Sequence, residues 1–158
     1  MPKVELQKTF HVPLDKALEY FGNHELYSNQ HARSDTTYII VNRRDNEILV
    51  EVNQEVSGQK FNFTNKTVYR LPQSIETETL SGIARGSRQK MTFESVPEGT
   101  KVTYVTDVKL HFGGMAGKAI SMASGKMIKK MTRETMEDAA EVDRQHLEGG
   151  PPQPPAPA

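Results

Sequence analysis

The chain has 158 residues, with 20 basic and 20 acidic side chains in balance and no cysteine. That length suits one core plus a tail, and the balanced charge supplies no basic footprint for nucleic acid as a partner. Without thiols there is no disulfide framework, and a zinc site would have to be built from His and carboxylates alone.

Met1-Pro2-Lys3-Val4-Glu5 has no apolar core of signal-peptide length, and no apolar run is long enough to span a bilayer. A cytoplasmic location is expected. From Lys3 to Val12, Val4, Leu6, Phe10 and Val12 alternate as in a half-buried strand. Pro13 suits a first helical turn, and Leu14, Ala17, Leu18 and Phe21 recur at helical spacing up to the breaker Gly22-Asn23. A second short helix is expected over His24 to Ala32. Thr36 to Val41, Ile48 to Val56 and Phe61 to Leu71 then read as hairpin-connected strands, with turns at Arg43-Arg44-Asp45-Asn46 and Ser57-Gly58.

Alternation assigns faces to these strands. Ile48, Val50, Val52 and Val56 share one side, as do Phe61, Phe63, Tyr69 and Leu71. Ser74 to Gly82 is ambiguous, because Ile75 and Leu80 fall on opposite faces. Met91 and Phe93 share a face, and past the Pro97-Glu98-Gly99-Thr100 turn so do Val102, Tyr104, Val108 and Leu110. From about Met115 to His146 the period becomes helical, and Ala116, Ile120, Ala123, Met127, Met131, Thr135 and Val142 are expected to form the inward stripe. Lys126, Lys129, Lys130 and Arg133 lie opposite that stripe, while Glu134, Glu137, Asp138, Glu141 and Asp143 crowd the carboxyl end. The helix dipole disfavours acids there, so packing must hold that end. The expected domain covers residues 1–148, and Gly149-Gly150 opens a disordered Pro-rich tail over 149–158.

Strand, two short helices, six antiparallel strands and a long helix is the helix-grip order. The chain resembles the START-like or SRPBCC superfamily over about Pro2 to Leu147. The most specific piece is Ile75-Glu76-x-Glu78-x-Leu80-x-Gly82, followed by Gly86-Ser87 and by Gly99-Thr100-x-Val102-Thr103-Tyr104 with Asp107. Phe10-x-Val12-Pro13 and the helix ending at Tyr20-Phe21 fit as well. The resemblance implies an α+β fold in which a curved antiparallel sheet of about seven strands carries the long helix over its concave face. It identifies the fold better than the ligand, because functions in the superfamily range from carriers to cyclases.

On that fold, an apolar cavity between sheet and helix is the expected site. Its expected lining is Phe21, Val52, Phe63, Tyr69, Met91 and Tyr104 with Ala116, Ile120, Ala123, Met127 and Met131. Small residues leave volume and methionines adapt to irregular ligands, although the same residues could simply complete a core. Gln54, Asn65 and Gln89 join the lining because polar groups on inward faces need partners, which a ligand or a wet cavity would supply. Thr67, Ser87 and Thr106 interrupt the inward faces in the same way.

No ionisable residue on these faces marks a general acid or base, so no catalytic residue is assigned. Glu76 and Glu78 share one face and are read as solvated exterior, the alternative being an inward carboxylate pair. His24 and His31 match no helix-face metal pair and are read as surface residues, so no metal and no cofactor is expected. Gly113-Gly114-Met115-Ala116-Gly117-Lys118-Ala119 fails as a phosphate loop, since Phe112 and Ala119 stand where Gly and Ser or Thr are required.

The leading reading is a carrier or sensor that binds a small hydrophobic or aromatic molecule, with at most transient membrane contact through the lysine cluster. A protein partner for the Pro-rich tail is the one further interaction considered. The alternatives are a polyketide cyclase-like enzyme using the same cavity, or an interaction protein whose cavity is filled by its own side chains.

Overall fold

The computed structural model describes residues 3–32, 35–56, 58–111 and 125–149. The elements are β1 (Lys3–Phe10), α1 (Leu14–Phe21), α2 (His24–Gln30), β2 (Thr36–Arg44), β3 (Glu47–Val56), β4 (Gln59–Arg70), β5 (Ser74–Thr79), β6 (Arg88–Val96), β7 (Gly99–Asp107) and α3 (Gly125–Glu148). The strands form one antiparallel sheet in the order β1-β7-β6-β5-β4-β3-β2. Together with the helices this is the helix-grip α+β architecture.

Residues paired across neighbouring antiparallel strands share a face, so the register settles the faces. Leu6 pairs with Tyr104, Tyr104 with Met91, Met91 with Ile75, and Ile75 with Tyr69. Ile75 is therefore inward, which resolves the ambiguous strand, and β5 ends before the exposed Leu80. Glu76 and Glu78 fall on the outer face, where Arg70, Lys90 and Arg88 pair with them.

Two apolar clusters sit on the inner face. The larger gathers Val4, Phe10, Ala17, Tyr20, Phe21, Ile75, Met91, Phe93, Val102, Tyr104, Met136 and Ala140. Phe21 lies at its centre, with ring centroids 5.2 Å from Phe93 and 5.0 Å from Tyr20. Each such buried ring stabilises the fold by about 1.5–3 kcal/mol through its transfer out of water. The smaller cluster is Ile48, Val50 and Val52, with Phe63 and Tyr69 packed against it.

The helices close one half of the sheet. Pro13 precedes α1, and the Asn23 side chain caps α2 by accepting from the Leu26 N–H at 3.1 Å. Gly99 lets the β6–β7 turn dock on the end of β1. Its φ is +146°, and an added Cβ would lie 2.1 Å from the Phe10 carbonyl oxygen. The neighbouring Thr100 is fully buried and donates to the Val12 carbonyl at 2.9 Å.

Helix α3 corrects the expected stripe. Met127 and Met131 are 62% and 59% exposed, and Thr135 is exposed as well. At about 100° per residue, Met127 stands about 180° and Met131 about 140° around the helix from buried Met136. The inward side runs instead through Met136, Ala140 and Asp143, with Ile128, Thr132 and Leu147 half-buried. Both ladders have helical spacing. The true one was hidden because a carboxylate, Asp143, occupies one of its inward positions. Ala116, Ile120 and Ala123, with the expected first part of this helix, lie outside the described residues.

Candidate functional site

Where β3, β4, the β5–β6 connection and the residues after β7 converge, an apolar pocket of about 510 Å³ opens among Phe61, Phe63, Ile83, Ala84, Leu110, Gln54, Lys60, Asn62 and Gly82. Gln54 pairs with Phe61 and Val52 with Phe63, so alternation brings both phenylalanines and the Gln54 amide to the inner face. Gly82, with φ +85°, brings the connection against β4. A Cβ there would meet the Phe63 Cβ and the Asn62 carbonyl, each at 3.1 Å. The Ile83 carbonyl is fixed by the His111 N–H at 2.6 Å, which holds the wall in place. Ile83 remains 42% exposed, and Phe61, Phe63 and Leu110 are half-buried.

Polar pairs line the inner face beyond this pocket. Thr79 donates to Asn65 at 2.9 Å, and the Thr67 and Thr77 hydroxyls are 3.0 Å apart. These residues thus satisfy one another across β4 and β5, and among the described residues the Thr106 hydroxyl is the buried inner-face group without a hydrogen-bond partner. Gln89 shares this face by register but is exposed. Of the other expected lining residues, Phe21, Met91 and Tyr104 stand in the larger core and Val52 in the smaller, while Tyr69 is half-buried and touches both. The structure therefore brings together Gln54 and Phe63 at the pocket.

A second polar centre was not legible along the chain. Asp143 of α3 is fully buried. Its Oδ1 accepts from the Tyr20 hydroxyl at 2.6 Å and lies 2.7 Å from His31 Nε2, and its Oδ2 accepts from the Tyr104 hydroxyl at 2.8 Å. His146 stacks on Tyr20 with ring centroids 4.5 Å apart. One carboxylate thereby joins α1, the end of α2, β7 and α3. Burial first, and then the Asp143 charge, pushes both phenols far above the ordinary tyrosine range, so they remain donors. A buried carboxylate with three donors is satisfied, whereas removing it would strand them. The signal that could have found it is its place three residues after Ala140 and four before Leu147, on one helix face.

His31 and His24 are likewise not free surface groups. His31 completes the Asp143 cluster, and His24 lies 3.4 Å from the Tyr69 hydroxyl and 3.3 Å from Ser28. Burial lowers the His24 pKa, and burial followed by the Glu25 charge pushes Tyr69 up to about 12. Glu25 also pairs with Arg43 across the gap between α2 and β2. Among the described residues no group of three or more His, Asp or Glu could hold a metal ion, and no helix is long and apolar enough to cross a membrane.

No family model matches the sequence, and no curated protein is similar to it by sequence. Solved structures are similar to it in fold. A protein from Thermus thermophilus superposes with a TM-score of 0.77 at 13% identity, covering 94% of this chain and 98% of the other. A START superfamily protein from Mycobacterium smegmatis gives 0.70 at 18% identity, covering 93% and 97%. The di-domain aromatase/cyclase StfQ of the steffimycin biosynthetic pathway gives 0.75 at 11% identity over 94% of this chain. The match spans 51% of that protein, so the chain corresponds to about half of its length. The fold is that of the START-like or SRPBCC superfamily.

Proposed function

We propose that the protein binds a small hydrophobic or aromatic molecule on the inner face of its sheet, as a carrier or sensor. The observation that carries this reading is the pocket of about 510 Å³ framed by Phe61, Phe63, Ile83 and Leu110, with Gln54 as a polar group at its wall. That volume lies in the range of small-molecule sites, and a few polar groups among apolar walls suit an oriented, largely neutral ligand. The fold likeness to a START superfamily protein and to an aromatase/cyclase supports the same reading.

Native mass spectrometry of protein purified from its own cells tests it, alongside thermal shift against a lipid and aromatic library. A co-purifying small molecule, or a thermal shift lost on Phe63→Ala, is expected. A clean apo mass with no shift across the library would overturn the reading.

The runner-up is a cyclase-like enzyme in the same space, favoured by the amide and hydroxyl pairs Asn65–Thr79 and Thr67–Thr77 beside the apolar pocket. It requires turnover of a polyketone that is abolished by substituting Gln54, Asn65 or Gln89 with the fold retained. Turnover surviving all three changes would exclude those groups as its machinery.

A further inference from the structure

One row of register-paired residues crosses the inner face of the sheet from β3 to β1: Ile48, Thr67, Thr77, Gln89, Thr106 and Val4. Its four central members are polar, and none of them is ionisable. They are not equally satisfied. The Thr67 and Thr77 hydroxyls bond each other, as Thr79 and Asn65 do in the neighbouring row. Gln89 and Thr106 are different. Among the described residues the exposed Gln89 amide has no hydrogen-bond partner, and neither does the buried Thr106 hydroxyl. The two stand directly opposite each other on β6 and β7, where side chains are close enough to share one guest atom. Buried polar groups without partners are rare, so this doublet points to an occupant that supplies them.

The surroundings select the chemistry of that occupant. Arg88 and Lys90, the chain neighbours of Gln89, belong to the outer face and lie within ion-pair reach of Glu78 and Glu76. A carboxylate or phosphate beside Gln89 would therefore lose water without meeting a cation among the described inner-face residues of β4 to β7. An uncharged carbonyl or hydroxyl loses less water and gains both groups. The same strands fix where this end lies. Thr67 follows Phe63 by four residues on β4, and Leu110 follows Thr106 by four, while Phe63 and Leu110 line the apolar pocket. Four extended residues span about 13 Å.

We infer that Gln89 and Thr106 receive the polar end of the ligand, and that this end is an uncharged carbonyl or hydroxyl oxygen. Its apolar end lies about 13 Å away, among Phe61, Phe63 and Leu110. The ligand class is thus an elongated, neutral, oxygenated amphiphile rather than an acid. This rests on the ligand reading of the pocket.

Displacement of the fluorescent apolar probe phenylnaphthylamine from the full chain tests it, with dodecanol and dodecanoate as competitors at neutral pH. Probe binding that is lost on Phe63→Ala is the check on the pocket itself. Dodecanol should then compete roughly fivefold or more better than dodecanoate. Gln89→Leu and Thr106→Val should each bring the two competitors together, and Gln89→Lys should reverse their order by supplying the missing cation. Gln89 is exposed, so its two variants are expected to fold and to decide the matter should Thr106→Val not fold. With probe binding intact, dodecanoate matching dodecanol on the wild type overturns the inference alone, as does a preference unchanged in Gln89→Leu and Gln89→Lys. A chain that binds no probe and neither competitor overturns the ligand reading, and the inference with it.

Discussion

Strands β1, β7 and β6 bury their inner face under α1 and α3, whereas β3 and β4 bury Ile48, Val50 and Val52 and leave Phe61 and Phe63 half-exposed around a pocket. The difference lies in what covers each half. In the closed half, aromatic rings fill the space and one carboxylate ties four elements together. In the open half, alternation continues past the point where the larger core ends, so inward apolar residues remain beside open volume. Close packing of this kind makes one half a scaffold, and among the described residues the other half is packed less completely, which is the half the proposed ligand reading uses.

The largest test of that contrast is Asp143→Ala. Two phenols and an imidazole would be left without their acceptor inside the core, and breaking such a buried network costs about 3–5 kcal/mol. Urea unfolding should show a large fall in midpoint, and Asp143→Asn should lie between the alanine variant and the wild type. Phe63→Ala should cost less, about 1–2 kcal/mol, because the side chain is only half-buried. It should instead reduce the affinity of any apolar probe that binds the pocket by about tenfold, read by titration. If the two variants exchanged these phenotypes, the division into scaffold and site would fail.

Met131→Lys sharpens the placement of α3. With the side chain 59% exposed and pointing away from Met136, the change should alter stability by no more than about 0.5 kcal/mol in thermal unfolding. A loss of several kcal/mol would return the methionines to the interior.

The smallest effect concerns His24. Burial lowers its pKa in the folded state, so the unfolded chain binds the proton more readily. The neutral side chain's contribution is therefore complete above about pH 6.5, the ordinary histidine value, and is lost as pH falls through the lower folded value. His24→Gln should flatten that acid-side slope in urea titrations at successive pH values. An unchanged slope would mean that other groups produce it.

Much of the sheet was legible in the sequence. Period-two alternation placed Val52, Phe63, Met91 and Tyr104 on inward faces, because the pleat turns every second side chain the same way. The pocket was legible in part: Gln54 and Phe63 could be assigned to a face, but Ile83 sits in a connection with no period to read. The face of α3 was not legible. Methionine looks inward and aspartate outward on any hydrophobicity count, and here both are reversed for Met127, Met131 and Asp143. Asp143 is buried because Tyr20, His31 and Tyr104 meet it from 123, 112 and 39 residues away, and no local pattern encodes such a meeting.

Alternation and turn signals were enough to set the order of the elements and the position of the Pro97-Glu98-Gly99-Thr100 turn, whereas the exterior face of Glu76 and Glu78 waited on the strand register. Two further outcomes waited on the folded chain: which side of α3 meets the sheet, and that a carboxylate is the junction of the closed half. Those outcomes depend on contacts between distant segments, where the cost of an unpartnered polar group and the fit of whole surfaces outweigh any residue's own preference.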